Sequence, residues 1–549
     1  MDTRRLILFV IFSMSILMLW EAWQRQHPPA EVVPQVSSNV DNSIPGHAEA
    51  LGATAANKVE LPVETNYKLP TGQRISVTTD LYKADIETTG GDLRRLELLK
   101  HRAAENDKTN FVLMDDSAKP MTYVAQTGLI GADLPTHKAV FTSAAPSYQM
   151  QDGKDSLEVR LSWVGNGVTV DKIYTFHRNK YAIDVSYEIK NDSATAITPT
   201  VYYQIVHDSE SNQGSKLMPT FTGGSYYTEA TKFKKLKFAN MEKEPLKLDT
   251  NDGWVGLLQH YFVGAWIPKD GLAREFYTKK LSDHMYIIGT KSSLGTIAPG
   301  ASLNVPARLF AGPQIQKDLQ ETAPGLEYTV DYGWLTVVAS PLFWLLSKIH
   351  SVVGNWGVAI ILLTVLIKAA FFKLSATSYR SMAKMRELAP RLQAMKEKFG
   401  DDKQKMQQAM MEMYKKEKIN PMGGCLPIVV QIPVFISLYW MLLGTIELRH
   451  APFFGWIHDL SAIDPYYILP IFMGATMIIQ TYLNPPPTDP IQAKVMKVMP
   501  VVFSVFFFFF PAGLVLYWLV NNVLSITQQW YINKTIHAET LLQKSGGKR

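Results

Sequence analysis

The sequence predicts a multi-domain chain: an α-helical polytopic membrane core of six spans that carries a large antiparallel β-sandwich on the outer side of the membrane. Three observations predict it. Long apolar runs are concentrated in the first ~20 and the last ~200 of the 549 residues, the pattern of a membrane protein with a water-soluble insert. The middle of the chain alternates with period two, the signature of strands. Lys and Arg cluster in one loop of the C-terminal third, which orients the spans. The mean hydropathy of -0.03 averages over this division. The formal net charge of +6 says less than its placement.

Residues 1–23 read as an anchor. Arg4 and Arg5 precede an apolar run at 6–20. A cleavable signal peptide shares that start but needs a small-x-small cleavage site. Here Glu21, Trp23, Gln24 and Arg25 follow, so the reading is an uncleaved span, N-terminus inside, with Trp20 and Trp23 at the far interface. Residues 24–60, rich in Pro, Ala, Ser and Asn and without periodicity, read as a flexible linker.

Residues 61–330 read as the β-sandwich. In YAIDVSYEIK, Tyr181, Ile183, Val185, Tyr187 and Ile189 recur at every second position, and in SLEVRLSWV so do Leu157, Val159, Leu161 and Trp163. Asn166-Gly167 follows as a hairpin turn before Val168 and Val170 resume the pattern. About 270 residues can bury a substantial core. They must, because the single cysteine, Cys425, excludes an intramolecular disulfide. This segment holds no His pair at metal spacing, no GxSxG and no phosphate-binding Gly-rich loop followed by Lys. A binding or spacer role is expected of it rather than catalysis, and a cleft for a sugar or peptide stays open.

Residues 331–354 read as an amphipathic helix at the outer interface, with Trp334, Leu335, Val338, Leu342, Leu345, Leu346 and Ile349 on one face and Pro341 breaking or kinking it. Residues 355–531 hold five apolar runs, at 356–372, 425–444, 466–483, 491–510 and 514–531. Pro511-Ala512-Gly513 between the last two reads as the turn of a helical hairpin. Between Lys373 and Pro421 twelve Lys or Arg stand against six Asp or Glu, which places that loop in the cytoplasm. The loop 445–465, with Glu447, Asp459 and Asp464 against Arg449, is expected outside, and the basic tail 532–549 inside. Six spans with both termini cytoplasmic follow.

Within the cytoplasmic loop, 375–420 reads as a helical hairpin. Met382, Met385, Leu388, Leu392, Met395 and Phe399 share a face, Gly400 ends the first helix, and Asp401 or Asp402 caps the second, where Met406, Met410 and Met413 continue the seam. Such methionines either pack the two helices together or offer a soft surface to apolar segments of varied sequence.

Lys368 lies inside an apolar run, where a lysine at mid-span costs roughly 2.5–3.5 kcal/mol. Near the cytoplasmic end it could snorkel to the headgroups. Other polar residues shift the balance. Thr364 is one turn back, and Gln431 sits mid-run between Pro427 and Pro433. Tyr517, Asn521, Ser525 and Gln528, spaced 4, 4 and 3, form a stripe on the last span. Helix–helix hydrogen bonding would account for a stripe alone. A cation, an amide and a stripe on three helices fit a shared water-filled cavity better. A secondary transporter or channel is the alternative; it predicts inverted repeats, and none is evident.

Several stretches resemble the YidC family of bacterial membrane-protein insertases in its long Gram-negative form. They are RRL near the start, NWG before the second span, SMAKM, NPMGGCLP at 420–427, IELRHAPFFGWIHDLSAIDPYYILPI at 446–471 and FPAGLVLYW at 510–518. The resemblance implies an inner-membrane protein whose periplasmic domain is a β-supersandwich. It implies a helical core with a hydrophilic groove open to cytoplasm and lipid. The function implied is moving nascent hydrophobic segments into the membrane, alone or with the Sec translocon. The implied partners are nascent membrane proteins, Sec translocon components, the ribosome, a targeting receptor and the lipid bilayer, with no specific nucleic-acid sequence. No catalytic residue, cofactor or metal is implied. At the groove position where the family usually has arginine this chain has Lys368, which keeps the charge and loses the bidentate fork. Thr364, Gln431 and Tyr517 fall on groove or substrate-contact positions, and Trp518 stands where an aromatic is expected. Asn521 joins this set through its place on the polar stripe.

Overall fold

A computed structural model describes residues 69–103, 108–116, 122–210, 220–282, 284–399, 402–417, 426–483 and 490–546. The expected anchor 1–23 and linker 24–60 lie outside the described residues. The rest forms two compact units, one ending at Asp331 and including Gly444–Glu447, the other comprising Tyr332–Leu443 and the chain from Leu448 onward.

The first unit is β-rich, with two sheets. The larger runs Lys247–Thr250, Arg274–Lys280, Met285–Ser293, Thr200–Asp208, Tyr123–Ile130, Asp92–Arg102, Tyr82–Glu87, Arg74–Thr78 and Ser147–Gln149, and Asn110–Met114 pairs beside Asp92–Arg102. The smaller runs Lys234–Leu236, Thr222–Tyr227, Trp254–Gln259, Phe262–Pro268, Ser302–Pro313, Ala182–Asn191, Val168–His177, Ser156–Gly165 and Thr142–Ser143. Pairing is antiparallel except between Arg74–Thr78 and Ser147–Gln149. Period-two alternation sets the buried face: Ile183, Val185, Tyr187 and Ile189 are buried while Glu188 and Lys190 are exposed. The Asn166-Gly167 turn joins Gly165 to its partner Val168, both turn residues having positive φ, as a type I′ hairpin requires.

The two sheets face each other across a shared interior that is apolar and also carries polar ties. Tyr123 Oη donates to Leu257 O at 3.0 Å, and Trp266 Nε1 to Gln204 O at 3.0 Å. The interior also holds charge. Asp92, Arg94 and Lys172 are fully buried. Asp92 Oδ2 accepts from Gln126 Nε2 at 3.0 Å and Arg94 Nη2 at 3.3 Å, and Lys172 Nζ donates to the Gly90 and Thr127 carbonyls at 2.8 and 3.0 Å. Burial pushes the Lys172 ammonium down to about 8 against the pull of Asp92. Two short helices, α1 (Phe238–Lys243) and α2 (Gln316–Thr322), complete the unit.

The second unit is helical: α3 (Thr336–Val353), α4 (Trp356–Ala370), α5 (Phe372–Phe399), α6 (Lys403–Lys416), α7 (Leu426–Gly444), α8 (Ile468–Leu483), α9 (Pro490–Phe507) and α10 (Ala512–Gly546). Among the described residues α3 alone is long and apolar enough to cross a membrane by itself. Helix α4 with the first half of α5, bent by 65°, passes as a pair, and Val430–Gly444 and Ile468–Leu483 are apolar but shorter. Helices α8 and α9 leave Ile471, Phe472, Ile479, Val501, Val502 and Val505 exposed, an apolar surface that calls for lipid rather than water.

Two expectations need correction. Of the break or kink expected at Pro341, the break does not occur, because α3 runs through it. The one bond Pro forfeits would go to the carbonyl of Val337, on the 84 % exposed side of the first turns. The first hairpin helix starts at Phe372, directly after the bend, rather than at 375. The last helix runs on past the expected end of the span at 531, through the basic tail to Gly546, since TIHAETLLQK contains no helix breaker.

Candidate functional site

Helix α4 is set by its N-terminus. Asn355 Oδ1 accepts the backbone N–H of Val358 at 3.1 Å, and Asn355 Nδ2 donates to Pro452 O and Phe453 O at 3.3 and 3.2 Å, tying the helix start to the loop before α8. Gly357 lets the Phe453 ring lie against the helix, where any Cβ would collide with it. Asp464 caps α8, accepting from Leu469 N at 2.7 Å, Tyr466 N at 3.0 Å and Trp456 Nε1 at 3.0 Å. At the turn between α9 and α10, Ala512 N and Gly513 N donate to Ala462 O and Leu460 O at 2.7 and 2.8 Å. The loop before α8 thus fixes the N-terminal ends of α4, α8 and α10.

Between these helices lies a cavity of about 300 Å³. Lys368 from α4, Gln431 and Phe435 from α7, and Tyr517, Trp518 and Asn521 from α10 line it. A chain of bonds runs along one wall. Lys368 Nζ donates to Ser525 Oγ at 2.8 Å, Ser525 Oγ donates to Asn521 O at 2.7 Å, and Gln431 Nε2 donates to Asn521 Oδ1 at 2.6 Å. Trp518 packs edge-on to Phe435 with centroids 4.3 Å apart. Among the described residues, neutral amides and hydroxyls therefore surround one ammonium, which can attract an anionic group.

Of the six residues singled out from sequence, five line this cavity. Thr364 does not: it is 1 % exposed and its hydroxyl donates to Ile360 O of its own helix at 2.7 Å. Sequence reasoning missed Ser375 and Tyr379 beyond the bend, Gln480 on α8 and Asn522. Gln480 was findable, being a lone amide in an apolar run like Gln431. Ser375 and Tyr379 were hidden because their segment read as the start of the cytoplasmic hairpin.

Comparison with known proteins gives the relationship. Residues 74–345 match the family model of the YidC periplasmic domain, and 348–539 that of the 60Kd inner membrane protein. A membrane protein insertase YidC of Methylobacillus flagellatus is 67 % identical over 553 residues, covering 100 % of both chains. The chain belongs to the YidC family. A second YidC relative, from Aromatoleum aromaticum, is 52 % identical over 556 residues, again with 100 % of both chains covered. An active YidC insertase crystal structure with the first transmembrane domain resolved matches 84 % of this chain and 93 % of its own, at 18 % identity and a TM-score of 0.39.

Proposed function

We propose that this protein is an inner-membrane insertase that takes nascent hydrophobic segments from the cytoplasm into the bilayer, and that the cavity beneath Lys368 is its working groove. The observation that carries the reading is the single ammonium held by a neutral hydroxyl among amides, on helices whose other faces are apolar. The names of its relatives support an insertase rather than a transporter. Six spans, both termini in the cytoplasm and a periplasmic β-supersandwich complete the topology; the charge distribution and the apolar runs support it.

The proposed mechanism is partition. A nascent segment arrives at the basic, Met-rich hairpin, delivered by the ribosome and a targeting receptor. Its short polar stretch enters the groove, where Gln431, Asn521 and Tyr517 offer hydrogen-bond partners and Lys368 attracts carboxylates. That shortens the distance over which charge meets hydrocarbon. The apolar part then leaves sideways into lipid, driven by its own burial, or is handed to a Sec translocon. No covalent bond changes, so the protein is not an enzyme. Site-specific photocrosslinking tests the assignment. Probes at Gln431 and Tyr517 are expected to capture a ribosome-stalled nascent membrane segment, and a probe at Thr364 to capture much less. Capture by none of the three refutes the groove.

A further inference from the structure

Lys368 and Ser525 are the two polar groups through which α4 and α10 meet inside the cavity, 157 residues apart in sequence. A serine hydroxyl has one proton and two lone-pair directions. The Ser525 proton is committed to the Asn521 carbonyl, at 2.7 Å. Only its lone pairs are left for Lys368 Nζ, at 2.8 Å, so the oxygen is a true acceptor for the ammonium. Tyr379 on α5 lines the same cavity. Ser525 therefore ties α4 to α10, and it is 4 % exposed.

A lysine near a span end has two places to go. Its stem can carry the ammonium to the headgroups, or the ammonium can stay in the cavity. A hydrogen bond from a charged donor biases such a choice by about tenfold or more. The acceptor's neutrality matters equally, because a carboxylate there would cancel the charge that the cavity presents.

We propose that Ser525 is a positioning residue: it holds the Lys368 ammonium against the α10 wall of the cavity and so sets how strongly the protein favours acidic over neutral translocated segments. The proposal rests on the insertase reading above and adds to it a residue that acts only through Lys368.

The test uses the full chain in liposomes and two single-span substrates whose short translocated tails differ only in carrying aspartates or asparagines. Ser525→Val and Ser525→Thr have the same shape and differ in the hydroxyl. The Asp-to-Asn insertion ratio is expected to fall about tenfold in Ser525→Val and to return most of the way in Ser525→Thr. In a Lys368→Met background Ser525→Val is expected to change the ratio no further. If Ser525→Val leaves the ratio unchanged, lowers both tails equally, or still lowers the ratio without Lys368, the positioning role is overturned. If Lys368→Met itself leaves the ratio unchanged, the charge reading of the groove falls first, and the two failures are thereby told apart. Ser525→Ala serves as a second hydroxyl-free variant should Ser525→Val not fold, as judged by its thermal midpoint.

Discussion

Replacing Lys368 by Met keeps most of the side-chain volume and removes the charge. Lys368 is half-buried on a cavity of about 300 Å³, and among the described residues its hydrogen-bond acceptor is the neutral Ser525 hydroxyl. Two unit charges 4 Å apart attract by about 4 kcal/mol at an effective dielectric of 20 and about 1 kcal/mol in bulk water. A half-buried ammonium on a wet cavity lies between these limits, near 2 kcal/mol, or about 30-fold in rate. In proteoliposomes Lys368→Met is therefore expected to slow insertion of an acidic-tailed single-span substrate about 30-fold, to affect its neutral-tailed twin within about threefold, and to lose part of the difference at high salt. Lys368→Arg keeps the charge and is expected to stay within about threefold of the parent on both substrates. Equal losses on the two tails, or no recovery with Arg, would refute the reasoning, since either result makes the lysine a packing or headgroup residue.

Other consequences follow from the same contacts. His207 is buried between Tyr123 and Phe238, and burial pushes its imidazole down from the ordinary histidine range to about 4, so the unfolded chain binds the proton first as pH falls. The β-rich unit is expected to lose about 3 kcal/mol between pH 6.5 and 4, and His207→Gln to flatten that part of the profile of urea midpoint against pH. Asp92→Ala removes the Asp92 carboxylate from buried Lys172 and leaves Arg94 with Asp116 at 3.7 Å; it is expected to cost about 3–5 kcal/mol in urea unfolding, far more than an exposed Asp152→Ala. Gly357→Ala forces a methyl into the Phe453 ring and is expected to cost about 1–3 kcal/mol, with a lowered thermal midpoint in detergent that Phe453→Ala partly restores. Gln431→Ala and Asn521→Ala are expected to show a coupling of about 0.6 kcal/mol in a double-mutant cycle.

Much of this molecule is legible from local pattern. The strands follow from alternation, and the helices of the second unit from apolar runs punctuated by Asn, Pro and Gly. The interior cluster was half visible: in VTVDKIYTFH, Lys172 has the parity of Val170, Tyr174 and Phe176, so period two already turned it inward. What sequence does not carry is pairing at a distance. Nothing local connects Lys368 to Ser525 or Gln431 to Asn521. Thr364 shows the limit of helical spacing. It is one turn from Lys368, yet its hydroxyl is satisfied by the carbonyl four residues back and its side chain faces packed helix rather than cavity. The last helix runs past the expected end of its span because charge marks where a span ends, while helix propensity decides where a helix ends.

The most direct measurement of the central claim is the access of water to the cavity. With Cys425→Ser as parent, single cysteines at 431 and 521 would be treated in native membranes with a membrane-impermeant thiol reagent applied from the cytoplasmic side. A hydrated groove predicts labelling at both sites, and protection when a stalled nascent segment is bound. If neither cysteine reacts while one placed on exposed Lys405 does, the space between these helices is dry and the account is contradicted.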